Sequence, residues 1–228
     1  MNTQAHSILQ FYKSLRPDFK VPKGVTIMNP YADPEAWKMS SQFYKKYYSD
    51  KEPRVYIFGI NPGRFGGGIT GVPFTDPIRL QEVCGIPNTW KKQAELSSQF
   101  IYAMIGAYGS VEDFYRRFFI TAPSPLGYTV GGKNLNYYDD KGLLQSCEPF
   151  MVDCIYRQLD NIPSFPFCYC LGEGENFKQF NRLNAQHGLF KEIIPLPHPR
   201  WVMQYRRKQV DEYVALYVKR LNRVPVRA

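Results

Sequence analysis

Two polar side chains in this sequence stand where chemistry is usually done, each at the exit of a short apolar run. Asn61 follows residues 55–60, Val-Tyr-Ile-Phe-Gly-Ile, with Pro53 before the run and Pro-Gly after it. Such a run of β-formers bounded by turn residues reads as a buried strand that stops abruptly. His198, one of three histidines, sits between Pro197 and Pro199 after the strand-like residues 191–196. In open α/β sheets, ligands bind beyond the carboxyl ends of the strands, where a polar side chain is exposed on a rigid support. An amide there offers both a donor and an acceptor, although it is a poor base. The plainer reading makes both of them turn residues.

The loop after Asn61 carries Gly63, Gly66, Gly67, Gly68 and Gly71. So many missing side chains are conformationally costly, and the usual reason is positive φ or close approach of backbone to a ligand. Residues 66–71 match G-x-G-x-x-G, yet that dinucleotide fingerprint must open a helix, and here Pro73 and Pro77 follow. The whole run Gly59-Ile60-Asn61-Pro62-Gly63-Arg64-Phe65-Gly66-Gly67-Gly68-Ile69-Thr70-Gly71-Val72-Pro73-Phe74 instead resembles the first motif of the single-strand-selective monofunctional branch of the uracil-DNA glycosylase superfamily. His198-Pro199-Arg200 is similar to that family's second motif, shortened from His-Pro-Ser-Pro-Arg.

The resemblance implies a monofunctional DNA glycosylase. It would hydrolyse the N-glycosidic bond of uracil, and of other deaminated or modified bases such as xanthine and 5-hydroxymethyluracil, as the first step of base excision repair. Asn61 would orient the attacking water, and His198 would donate a hydrogen bond to O2 of the leaving base. Phe74 would stack on the base, with Ile60 and Phe65 lining its pocket. Gly63 is small where an aromatic would block the 5-position. Ala122 stands where the family carries an asparagine that reads the uracil edge; either Ser124 or a backbone group takes over, or the substrate range differs. Lys133 and Asn134 resemble a basic-Asn pair of the family, against the plainer reading of a mobile loop. Trp201, Val202, Met203 and Tyr205 would form a wedge entering the duplex, with Arg64, Lys133, Pro199, Arg200, Arg206 and Arg207 on the DNA-contacting surface. No lysine occupies either motif to form a Schiff base, and no cofactor is required.

Charge agrees with a polyanionic partner. The chain carries a formal net charge of +9, six of these charges contributed by residues 200–228, where eight basic residues including Arg227 face only Asp211 and Glu212. Five cysteines without C-x-x-C spacing argue against a disulfide framework. Cys168 and Cys170 alternate in an apolar run and read as buried strand residues. The spacing of the five does not resemble the cluster-binding cysteines of some superfamily members, so no metal is expected. The sequence has no apolar segment of membrane-spanning length and no signal-peptide pattern, which points to a cytoplasmic protein.

The elements that must hold these residues follow from periodicity. Helices are expected over residues 4–15, 34–48, 78–84, 96–107, 148–161, 176–186 and 208–221, with another from the capping-box-like Ser110-Val-Glu-Asp113 to Arg117. Residues 25–28 read as strand-like. Strands at 55–60, 118–121, 167–171 and 191–196, separated by helices, give an α/β, three-layer αβα domain of uracil-DNA glycosylase type. Its central four-stranded sheet is mainly parallel, and the single domain is expected to cover all 228 residues. That arrangement aligns Asn61, Ala122, Gly172 and His198 along one rim. Residues 130–140 read as a polar loop. The expected partner is DNA, single-stranded or duplex with a flipped base, bound by a monomer and without a membrane. Two other functions compete: a non-catalytic nucleic-acid-binding module of the same fold, and, further off, a nucleotide-dependent oxidoreductase.

Overall fold

The computed structural model describes residues 3–223, so Arg227 lies outside the described residues. Helix α1 (Gln4–Lys13) is capped by Thr3 and buries Ile8, Phe11 and Tyr12. Strand β1 (Val25–Met28) and helix α2 (Pro34–Tyr47) follow; the Asp33 carboxylate accepts from Ala36 N and Pro34 opens α2, as cap preferences dictate. Strand β2 (Arg54–Phe58) is buried at every residue, which is what a strand covered on both faces requires. The glycine loop holds one helical turn, α3 (Gly67–Thr70). Then come α4 (Pro77–Glu82), α5 (Leu96–Tyr108), α6 (Val111–Arg117) and strand β3 (Phe118–Thr121). Strands β4 (Gly127–Val130) and β5 (Lys133–Leu135) form a hairpin. The chain continues through α7 (Lys141–Asn161), β6 (Ser164–Leu171), α8 (Glu175–His187), β7 (Glu192–Leu196), α9 (Pro199–Tyr205) and α10 (Val210–Leu221).

Strands β3, β2, β6 and β7 lie in that order in one parallel sheet flanked by helices, the α/β arrangement expected. Phe58 pairs with both Thr121 and Cys170, and Cys170 with Pro195, so the four carboxyl ends finish almost level. Cys168 and Cys170 are buried in β6.

A second sheet was not expected. β1, β4 and β5 form an antiparallel sheet in which Gly131 and Gly132, at φ +54° and +70°, make the two-residue turn between β4 and β5. Positive φ at both central residues is the hairpin geometry whose twist matches the strands, so the polar-loop reading of residues 130–140 is corrected there. Tyr128, Tyr137, Leu143, Cys147, Met151 and Leu183 form a separate core that fixes this sheet against α7 and α8. Helix α7 also begins earlier than the periodicity indicates, at Lys141. The Asp140 carboxylate caps Leu143 N, and Pro149 is accommodated inside the helix. In α5, Ala107 is exposed, and Ile101 and Ile105 join Phe100 and Met104 in the core.

Candidate active site

The strand ends converge on a cleft lined by Gly59, Ile60, Asn61 and Gly63 after β2, Thr121 and Ala122 at the end of β3, and His198 and Arg200 after β7. Phe74, Glu95, Asn134 and Asn136 complete the wall, with Tyr12 and Tyr31 among the remaining lining residues. Two distant sequence segments, one carrying an amide and the other an imidazole, therefore face one space.

The Asn61 carboxamide is held by backbone at both ends. Its Nδ2 donates to Leu135 O at 3.2 Å and its Oδ1 accepts from Tyr137 N at 3.0 Å. The group is thereby oriented, with one lone pair on Oδ1 and one proton on Nδ2 still free for a ligand. Tyr137 is itself tied to Asn176 Oδ1 at 2.9 Å, and Asn176 Nδ2 donates to Gly59 O and Leu171 O. Asn134 Oδ1 accepts from Arg64 N at 3.0 Å. The unforeseen hairpin and the segment after it thus position the amide and pin the start of the glycine loop.

His198 is the N-cap of α9, and its Nδ1 accepts from Arg200 N at 3.1 Å. An Nδ1 that accepts must leave the ring proton on Nε2, so the imidazole is a neutral donor. Burial, reinforced by the Arg200 charge, pushes its pKa down to about 4. The buried Tyr217 hydroxyl donates to Pro197 O and anchors this turn. Phe74 adopts φ +52°, a conformation costly for a residue with a side chain, and sets its ring 6.0 Å from the His198 ring at 49°. Strained backbone of this kind is concentrated at functional sites.

Of the residues singled out from sequence, Ile60, Asn61, Gly63, Phe74, Ala122, His198 and Arg200 line the cleft. Others do not. Ser124 is fully buried, its hydroxyl bonded to Leu126 O and paired with the Tyr128 hydroxyl, so it is not free to replace the missing amide at Ala122. Phe65 lies outside the lining and carries the Arg64 guanidinium 4.2 Å above its ring. Lys133 is exposed on β5. Pro199 is buried at the first position of α9, where proline suits a helix start, and is not part of the outer surface. The segment expected to be a wedge-forming loop is helical. Val202 and Met203 face the core, while Trp201 and Tyr205 remain 38% and 66% exposed. Arg206 stacks over Trp201 at 5.1 Å, and Arg207 begins the exposed turn before α10. Reasoning from sequence missed Glu95, which stands just ahead of an apolar helix and has no local feature to mark it as a cleft residue.

The parallel sheet brings an amide after β2 and a neutral imidazole after β7, with β6 between these strands, to one cleft, and the family model of the uracil DNA glycosylase superfamily matches residues 45–222. The chain belongs to that superfamily and is a DNA glycosylase, a hydrolase of N-glycosyl bonds. Among solved structures it is similar to wild-type Pedobacter heparinus SMUG2. The sequence identity is 42% and the TM-score 0.95, over 98% of this chain and 99% of that one. No curated protein matches the chain. No helix among the described residues is long and apolar enough to cross a membrane.

Proposed function

We propose that the protein is a monofunctional glycosylase that removes uracil, and also xanthine and 5-hydroxymethyluracil, from DNA. The observation that carries this reading is the pairing of a backbone-clamped Asn61 amide with a neutral His198 donor across one cleft. The bond to be broken is not reachable inside a duplex, so the nucleotide is extruded or taken from a single strand, at a cost of roughly a few kcal/mol. Stacking on Phe74 offsets part of that cost.

Asn61 holds the water through the free lone pair on Oδ1. A weak base suffices because the sugar develops oxocarbenium character before the water attacks C1′. As the C1′–N bond breaks, its electron pair leaves with the base. The His198 Nε2–H meets the charge that accumulates on O2, and a positioned donor of this kind contributes on the order of 2.7 to 4 kcal/mol. The products are the free base and an abasic sugar. No lysine lines the cleft among the described residues, which supports hydrolysis without a Schiff-base intermediate. The admission of 5-substituted pyrimidines rests on Gly63 placing no side chain of its own in the wall, where Glu95 Oε1 and Asn134 Nδ2 are the nearest groups. Trp201, Tyr205, Arg206 and Arg207 supply the aromatic and cationic surface for the strand beside the cleft.

The test uses single-stranded and duplex oligonucleotides carrying one uracil, xanthine, hypoxanthine or 5-hydroxymethyluracil, with abasic sites opened by alkali. Base release abolished in Asn61→Ala, and no covalent adduct under borohydride, are expected. Release that persists in Asn61→Ala, or strand scission before alkali, overturns the reading.

A further inference from the structure

The cleft holds one acidic side chain for which the mechanism above has no use. Glu95 precedes α5, its backbone N–H donating to Asp76 Oδ2 at 2.9 Å, and its side chain enters the cleft beside the glycine loop. A Cβ on Gly66 would lie 2.1 Å from Glu95 Oε2, and one on Gly63 would lie 3.0 Å from Oε1. The absence of side chains at these glycines is what leaves room for the carboxyl. Among the described residues nothing donates a hydrogen bond to either oxygen. Glu95 is half-buried and its carboxyl opens onto the cleft, where a carboxyl without a protein partner is available to a ligand.

Three of the other polar groups nearby are committed, while Asn134 Nδ2 and the Asn136 carboxamide make no hydrogen bond among the described residues. Thr121 Oγ1 donates to Gln158, Ser124 is engaged within its own turn, and Asn134 Oδ1 serves Arg64 N. Ala122 has nothing to offer. We propose that Glu95 reads the base, pairing its carboxyl with the lactam edge, the adjacent N–H and C=O, of the extruded nucleobase. This rests on the reading that deaminated bases are excised here. Uracil, hypoxanthine and xanthine share that edge, and a protonated carboxyl presents its complement, an O–H donor beside a C=O acceptor.

The surroundings favour the protonated form. Burial first, then the Asp76 carboxylate at the start of α4, push the Glu95 pKa up to about 7, against an opposing pull from Arg200 on α9. Asp76 is itself paired with Arg79 at 3.3 Å, Arg64 stacks on Phe65, and His198 is neutral near pH 7. Above its pKa Glu95 only accepts, and the bond to the base carbonyl is lost.

The experiment measures uracil release from a single-stranded oligonucleotide by wild type, Glu95→Ala and Glu95→Gln, across a pH range spanning about 7. Glu95→Ala is expected to raise KM about tenfold with a smaller fall in kcat, as for loss of two hydrogen bonds. Glu95→Gln carries a donor and an acceptor at every pH. It should recover most of that KM loss, remove the alkaline limb of the wild-type profile, and exceed wild type well above pH 7. Binding of the variants to abasic-site DNA, which has no base to read, serves as the folding control and should match wild type. Three results overturn the proposal: an unchanged KM in Glu95→Ala; a wild-type rate that rises through pH 7 with Glu95→Gln as inactive as Glu95→Ala, which would mark a general base; or variants that also fail on abasic DNA, which would mark a structural role. If wild type releases no lactam base at all, the substrate reading falls with it; release with an unchanged KM in Glu95→Ala removes only the role of Glu95.

Discussion

Replacing Glu95 by glutamine should change the pH dependence of stability by a calculable amount. The carboxyl's ordinary pKa of 4.5 rises to about 7 in the fold, mainly through burial. A folded-state pKa above the unfolded one means that the native protein holds the proton more tightly. The stabilisation is therefore complete below pH 4.5 and is lost as pH rises through about 7. At about 1.4 kcal/mol per pKa unit, the wild type loses up to ~3 kcal/mol relative to a side chain that does not titrate. For a chain of this size that is a relative melting shift of up to roughly 6–12 °C in favour of Glu95→Gln. Thermal or urea unfolding of both proteins, measured below pH 4.5 and again well above pH 7, gives the double difference. Titrating groups that do not interact with Glu95 cancel in it. A stability difference independent of pH would refute the idea that the fold withholds this carboxyl from water.

His198→Ala should lower kcat by about 100- to 1000-fold with little change in oligonucleotide binding, and a loss mainly in KM would contradict the donor role. Because the imidazole stays neutral down to about pH 4, the unfolded chain takes up a proton that the folded chain refuses as pH drops from 6.5. Stability should fall across that window in wild type and fall less in His198→Gln, measured by unfolding at pH 6.5 and pH 4. Ala122→Asn should raise uracil release by restoring an amide at the cleft, and no change in kcat/KM would remove that account of the position. Arg206→Ala with Arg207→Ala should weaken binding to all sequences and reduce the slope of log affinity against log salt by about 1–2, read from titrations at several salt concentrations.

The strands of the parallel sheet were legible because each is a short apolar run closed by proline or glycine, and that same punctuation marked Asn61 and His198 as strand-end residues. Residues 118–121 and 25–28 match the observed strands because their boundaries are chemical, a capped helix before one and turn residues around the other. The β4–β5 hairpin was missed because its strands are short and polar, and only Gly131-Gly132 betrayed it. The helical course of residues 199–205 was hidden by the weight given to large exposed side chains, although Pro199 after a capping residue is a helix start.

Residue type and spacing alone thus determined which two side chains stand at strand ends, since period and punctuation are local properties of a chain. Only the tertiary structure decided how the amide is aimed, because its partners Leu135 and Tyr137 lie more than seventy residues away in sequence. The same holds for Glu95, whose raised pKa comes first from burial and then from Asp76, against Arg200, and whose place in the cleft rests on the space left by Gly63 and Gly66. Burial and field are sums over neighbours that the chain brings together only by folding.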